Sequence, residues 1–353
     1  MRNWLGRHVA RRGGDNDERS LIQESKTVRY WWVNQNQTYK QEVLGGYLWS
    51  PKTKANGARN PFYEFMREVS PGDVVFSFCD TEIKAIGIAQ SNAYEAPKPL
   101  EFGSVGAYWD LVGWRVEVRF SKLTAPIRPV AHINLLRPYL AEKYAPLRSN
   151  GRGQQSTYLT QLSDSLGSLL IDLVGTEGRM IVQAARVEDF SLSTSHVGQL
   201  IWEEHQLSAI QSDEYLMETE KQSIVLARRG QGLFRQRVSS VERACRVTKV
   251  SQPEYLRASH SKPWRDSSNE ERLNGENGLL LTPDVDLLFD RGFLSFEDNG
   301  KVLVSPVADL TAMSKMGLTG DLLGNVGAFS EGQKQFLQFH RESIFLEAKV
   351  AKR

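Results

Sequence analysis

Two stretches in the last third of the chain hold the residues that could do chemistry: ASHSKPW at 258–264 and NGLLLTPDVDLLFDRG at 277–292. They set His260, Asn277, Asp286 and Asp290 in a fixed order. An imidazole at His260 can take a proton from water. A carboxylate at Asp286, with Asp290 four residues on and so on the same helical face, can hold a hard divalent cation such as Mg2+ or Mn2+. Such a cation offsets charge that builds on phosphorus and on a leaving oxygen. The arrangement suits phosphodiester hydrolysis. Asn277 suits a supporting role, holding the loop after His260 and orienting the imidazole.

A frame is needed to bring these residues together, and the local sequence supplies one. EYLRASH (254–260) reads as an extended run ending at His260, and LLL (279–281) as a short buried return strand. Thr282 is placed to cap a helix whose first residue is Pro283 and which Gly292 ends, so Asp286 falls one turn in. Basic residues crowd around this segment: Arg228, Arg229, Arg235, Arg237, Arg243, Arg246, Lys249, Arg257, Lys262 and Arg265. Contact with a phosphate backbone is the functional reading of that crowd, and a solvated helix face the ordinary one. Trp264 reads as packing.

The bulk numbers bound the rest. With 353 residues, about two domains are expected. The formal net charge is only +2, so any nucleic-acid surface must be a local patch. Only Cys79 and Cys245 are present, which excludes a four-Cys zinc site, so no zinc ribbon is expected. No signal-peptide pattern and no apolar run of about 18 residues is visible, and a bacterial cytoplasm is the expected compartment, with no membrane partner. Residues 1–26 read as a basic arm, 27–165 as a β-rich domain, 166–220 as a helical connector and 221–353 as the domain holding His260. Strand patterns appear at VRYWWVN (28–34), GDVVFSF (72–78), IKAIGIAQ (83–90) and VGWRVEVRF (112–120), and a helix over 60–69 capped by Asn60 with Pro61 in its first position. FLSFEDNGKVLVSP (293–306) reads as a hairpin and Ser330 as the cap of a last helix.

The segment at 245–292 resembles the HNH, or ββα-metal, nucleases. It is similar to the subgroup whose core runs through CRVTKV (245–250), SHSKPW (259–264), NGLLL (277–281) and DLLFDRG (286–292); RRGQGLFR (228–235) is similar to the segment that precedes that core. The resemblance implies that His260 is the general base, Asn277 the central Asn and Asp286 a metal ligand. Many relatives carry Asp or His just before the catalytic His. This chain has Ser259 there, which leaves Asp290, Ser259 or water to complete the metal shell.

The N-terminal half is dense in aromatics. GGYLWSP (45–51), PGDVVFSF (71–78) and the loop NGRGQQSTYL (150–159), in that order, resemble the EVE domain, a PUA-like barrel related to YTH modules. The resemblance implies a pocket that grips one flipped, modified base by stacking and edge hydrogen bonds. It puts Trp49 and Ser50 in the cage and Asn34 near a base edge. Trp109 is the candidate for the opposite wall and Trp32 a further candidate. Trp31 and Trp32 point to opposite faces, so one must be core. Lys52, Lys54 and Arg59 are candidates for holding the DNA backbone, and Arg152 and Gln154 for lining the pocket mouth. The expected fold is therefore α+β in two domains, a PUA-like β-barrel followed by a ββα-metal domain with flanking helices. The expected activity is cleavage of double-stranded DNA carrying 5-methyl- or 5-hydroxymethylcytosine, as in EVE–HNH restriction enzymes that act in phage defence. Because a double-strand break takes two cuts, a homodimer is expected. Two other readings stay open: a nuclease whose N-terminal domain reads another nucleic-acid feature, and a non-catalytic binding protein.

Overall fold

A computed structural model describes residues 28–154, 157–187, 197–228 and 230–350. The arm at 1–26 and Arg229 lie outside the described residues. In the first half, β1 (Tyr30–Asn34) is followed by α1 (Tyr39–Gly45), β2 (Tyr47–Pro51), the short α2 (Pro61–Glu64), β3 (Val74–Cys79), β4 (Glu82–Ala89), β5 (Tyr94–Pro97) and the long β6 (Val112–Ile127). Then come α3 (Ile133–Leu136), β7 (Leu159–Leu162), α4 (Asp164–Val174), α5 (Thr176–Val187) and α6 (Val197–Ser212). The second half holds α7 (Glu218–Arg228), α8 (Gly232–Val241), β8 (Arg257–His260), α9 (Asn269–Arg272), β9 (Gly278–Leu281) and α10 (Pro283–Asp290). It ends with β10 (Leu294–Phe296), β11 (Val302–Val304), α11 (Leu310–Lys315) and α12 (Glu331–Ser343). The layout is mixed α+β. Among the described residues no helix is long and apolar enough to cross a membrane.

The seven strands of the first half form one sheet in the order β2-β6-β4-β3-β1-β7, with β5 also on β6. Sixteen-residue β6 makes the sheet curl: its first part pairs with β2 and β5, and its second part with β4. The expected barrel is, among the described residues, a curled open sheet, because β2 and β7 at its ends exchange no ladder bonds. Both sheet faces are covered, so alternating side chains are buried on both. Trp31 packs in one core with Val75, Trp114 and Leu346, and Trp32 in another with Phe76, Ile86 and Leu166. The helix expected over 60–69 is one α-turn followed by a 3-10 turn, with Asn60 accepting from the Phe62 N–H.

The connector expected at 166–220 is divided between two cores. Leu166, Leu170, Ile171, Val182 and Ala185 of α4 and α5 pack on the sheet, whereas Ile210 at the end of α6 packs with the second half. Ser163 caps α4 and Ser330 caps α12, the latter with a full capping box closed by Gln333. The extended run expected from 254 is shorter: Pro253–Tyr255 forms a 3-10 turn, and only Arg257–His260 pairs with β9.

Candidate active site and base pocket

In β8 and β9, Arg257 pairs with Leu281 and His260 with Gly278, which puts His260 at the strand end. The loop that follows is pinned by Asn277, which is fully buried. Its Oδ1 accepts from the Lys262 N–H at 2.7 Å, and its Nδ2 donates to the carbonyls of Lys262 and Glu271 and to Ser267 Oγ. Asn277 therefore holds the loop as expected, while the imidazole is oriented by other groups. Phe234 of α8 lies flat on it, with ring centroids 3.7 Å apart and planes within 1°. Nε2 sits 3.0 Å from the Arg272 carbonyl, which can only accept, so Nε2 carries the proton and Nδ1 the lone pair. Burial pushes the pKa down to about 4; the carbonyl bond opposes this and the Arg272 charge adds to it. His260 is thus a neutral imidazole at neutral pH, in one tautomer.

His260, Ser259, Asp286 and Asp290 line one cleft of about 490 Å3, together with Arg228, Arg235, Arg257 and Arg265. Asp286 accepts from Arg257 Nη1 at 3.2 Å. Among the described residues no three His, Cys, Asp or Glu gather as a ready-made metal cage. Asp286 and Asp290 lie one helical turn apart and share the cleft wall with Ser259, the donor types a small hard cation takes. Such an ion keeps several waters and is completed by substrate phosphate. Gly230 explains the approach of α8: its φ is +61°, and a Cβ there would meet the Ala258 carbonyl oxygen at 2.3 Å.

The basic crowd is sorted by its partners. Arg235 donates to the carbonyls of Leu256 and Pro253 and so braces the entry to β8. Lys262 pairs with Glu271 in the pinned loop. Arg265 is nearly buried and pairs with Glu95 of β5. Lys52 also pairs with Glu95 and lies over the Trp114 ring, and burial pushes its pKa down to about 7. The expectation that Arg265 and Lys52 hold DNA phosphates is corrected: both charges are spent on Glu95, between the two halves. Arg59 pairs with Glu342 of α12, and Lys54 is exposed.

The aromatic pocket is a second cavity, of about 800 Å3, lined by Asn34, Trp49, Ser50, Trp109, Arg152 and Gln154. Phe78, Tyr63, Thr157 and Tyr158, which the sequence reading did not name as pocket residues, also line it. Trp49 lies on β6 where Gly113 leaves room; a Cβ there would meet its ring at 2.5 Å. Trp109 stacks on Trp49 with centroids 6.2 Å apart. Behind Trp49, buried Glu42 accepts from the Trp49 N–H, the Tyr158 hydroxyl, Thr38 Oγ1 and Gln35 Nε2. Burial pushes its pKa up to about 7 against those bonds. The hydroxyls of Ser50 and Thr157 are buried without a hydrogen-bond partner among the described residues. Trp32 is absent from the lining: it is core, and its Nε1 donates to Asn34 Oδ1. Asn34 lines the pocket, but its Nδ2 is turned to the carbonyls of Gln154 and Thr157.

Residues 245–297 match the HNH endonuclease family. This HNH segment contains β8, β9 and α10, with His260, Asp286 and Asp290 of the cleft, and it indicates a nuclease, a hydrolase acting on DNA. Among solved structures, the chain is similar to the Pho92 YTH domain in complex with m6A, at 17% identity over 42% of this chain and 85% of that one, with a TM-score of 0.26. It is also similar to the NMR structure of Rpa0253 from Rhodopseudomonas palustris, at 18% identity over 40% and 95% of the two chains, with a TM-score of 0.24. A comparison with curated proteins returns no match.

Proposed function

We propose that this protein is a modification-dependent DNA endonuclease: its N-terminal pocket takes a flipped cytosine modified at the 5-position, and its HNH segment cuts the nearby backbone. The observation that carries the reading is the pair of orphaned hydroxyls. Among the described residues, Ser50 Oγ and Thr157 Oγ1 are buried without partners in a pocket walled by Trp49, Trp109, Phe78 and Tyr158. A buried hydroxyl without a partner is costly, so such groups call for a ligand with polar edges. A base supplies both a polar edge and a flat face for the aromatic rings. Rings at 6.2 Å leave no room for a third between them, so half-buried Trp109 is the wall that moves when a base reaches Trp49.

In the cleft, His260 Nδ1 accepts the proton of the attacking water, and the Arg272 carbonyl and Phe234 keep that nitrogen free and aimed. Asp286, with Asp290 and Ser259, would hold a magnesium or manganese ion, whose charge offsets that on the phosphate and the departing 3′-oxygen. The products are 3′-hydroxyl and 5′-phosphate ends. One added methyl is worth only ~1–3 kcal/mol of discrimination, so a single pocket gives modest selectivity, and pairing of two molecules on one site sharpens it.

The test is cleavage of matched plasmids carrying cytosine, 5-methylcytosine or 5-hydroxymethylcytosine, in Mg2+ and in Mn2+, with His260→Ala alongside. Cutting of the modified plasmids alone, lost in the variant, is expected. Equal cutting of all three would remove the modified-cytosine reader. Cutting that survives His260→Ala would remove the mechanism.

A further inference from the structure

Among the described residues, packed contacts connect the two halves that hold the cavities. Glu95 of β5 is fully enclosed between the halves, where it receives Lys52 from one side and Arg265 from the other. Glu95 stands opposite Trp114 on β6, and Trp114 stands opposite Ser50 on β2. One row across three strands therefore runs from a pocket wall, Ser50, to a carboxylate that grips Arg265 on the rim of the nuclease cleft.

A second clamp lies at the other end of the interface. Arg67 has no exposed surface, and its guanidinium donates to the carbonyls of Arg341, Glu342 and Phe345 at the end of α12, closing backbone acceptors that the helix leaves open. Beyond that helix, the Ala348 N–H donates to Glu68, and Leu346 enters the core built by Trp31, Val75 and Trp114. Buried charge pairs and a shared apolar core resist sliding, because each charge left alone would be an unpaired buried group.

We propose that Glu95 and Arg67 are specificity-determining positioning residues: they fix the offset between the base pocket and the cleft, so that cleavage falls at one set distance from the recognised base. The proposal rests on the reader–nuclease reading above. A flexible linker would let the nuclease reach a range of phosphodiesters, as linker arithmetic requires. A packed interface lets it reach one.

The experiment uses the full-length protein and a duplex with a single 5-methylcytosine or 5-hydroxymethylcytosine at a known position. End sequencing gives the distribution of cut sites on each strand. The wild type should cut at one dominant position per strand. Glu95→Gln, which keeps the shape but loses the charge that holds Lys52 and Arg265, should broaden that distribution, and Arg67→Lys should broaden it independently. Destabilisation alone would lower the amount of cutting without moving the cut positions, so the readout separates positioning from folding. Scattered cutting by the wild type on the modified duplex alone would overturn the fixed offset while leaving the reader–nuclease reading standing. A sharp wild-type pattern unchanged in both variants would overturn the assignment to these residues. Equal cutting of modified and unmodified duplexes would overturn the reading, and this proposal with it.

Discussion

The neutral His260 imidazole makes a pH profile the sharpest test of the cleft. An ordinary histidine with a pKa near 6.5 is about 9% neutral at pH 5.5. His260, pushed to about 4 by burial against Phe234, is about 97% neutral at that pH by the same arithmetic. If His260 is the general base, single-turnover cleavage should change little between pH 8 and 5.5, where an unperturbed base would lose about tenfold. The rate should then fall towards pH 4. Phe234→Ala admits water to the imidazole face and should move this acid limb up towards 6.5, restoring most of the tenfold loss at pH 5.5. The assay is rapid-quench cleavage with saturating Mn2+ at each pH, with both proteins checked for folding by circular dichroism. A wild-type acid limb near 6.5 would refute the assignment of the buried, carbonyl-bound tautomer. A limb that Phe234→Ala leaves in place would refute the claim that burial sets it.

Four other outcomes are expected. Trp109→Ala should weaken binding of a modified duplex by about 1–3 kcal/mol, some 5- to 150-fold, with basal cleavage in high Mn2+ retained; fluorescence anisotropy reads it. Asn277→Ala removes four buried hydrogen bonds and should cost about 2–4 kcal/mol of stability by urea unfolding. Arg257→Ala frees Asp286 from an ion pair whose arginine is largely exposed; at ~0.2–1 kcal/mol for such a pair, half-saturation by Mn2+ should improve by up to about fivefold. Acid should destabilise the protein. His260 and fully buried His340, pushed to about 4 and about 3, stay neutral while their unfolded forms take up protons below 6.5, so their contribution is lost as pH falls. Glu42, raised to about 7, works the other way between 4.5 and 7. With two histidines set against one carboxyl, the balance of the three is a loss of stability as pH falls from 6.5 to 4.5, which a series of melting temperatures would show.

Elements with strong local signals were legible in the sequence. The Thr282–Pro283 start, the Asn60 and Ser330 caps and the alternation in 112–120 each give the observed element, because each depends on neighbours in the chain. His260, Asn277 and Asp286 lie within one ββα unit of short reach, so the strand and helix that carry them could be placed from neighbouring residues. Residues whose roles depend on distant partners were not. Lys52 reads as a phosphate ligand until Glu95 is seen beside it, and Arg265 reads the same way. Trp32 looks like a cage residue until the sheet proves to be buried on both faces. Phe234 and Glu42 carried no signal of their own, since stacking on His260 and bonding behind Trp49 are tertiary facts. Tyr158 and Thr157 lay in a loop already singled out, and their hydroxyls were the available clue.

The clamp that Arg67 places on the end of α12 joins groups 274 to 278 residues apart in the chain. During synthesis the sheet leaves the ribosome first, and Leu346, which enters one of its cores, emerges only after the buried residues of the second core. The nuclease core, whose buried residues run from Ile210 to Leu337, can therefore collapse before it is fastened to the pocket. A chain stopped between these two events would carry a cleft with no fixed aim, so rapid docking of the segment around Leu346 would keep that state brief.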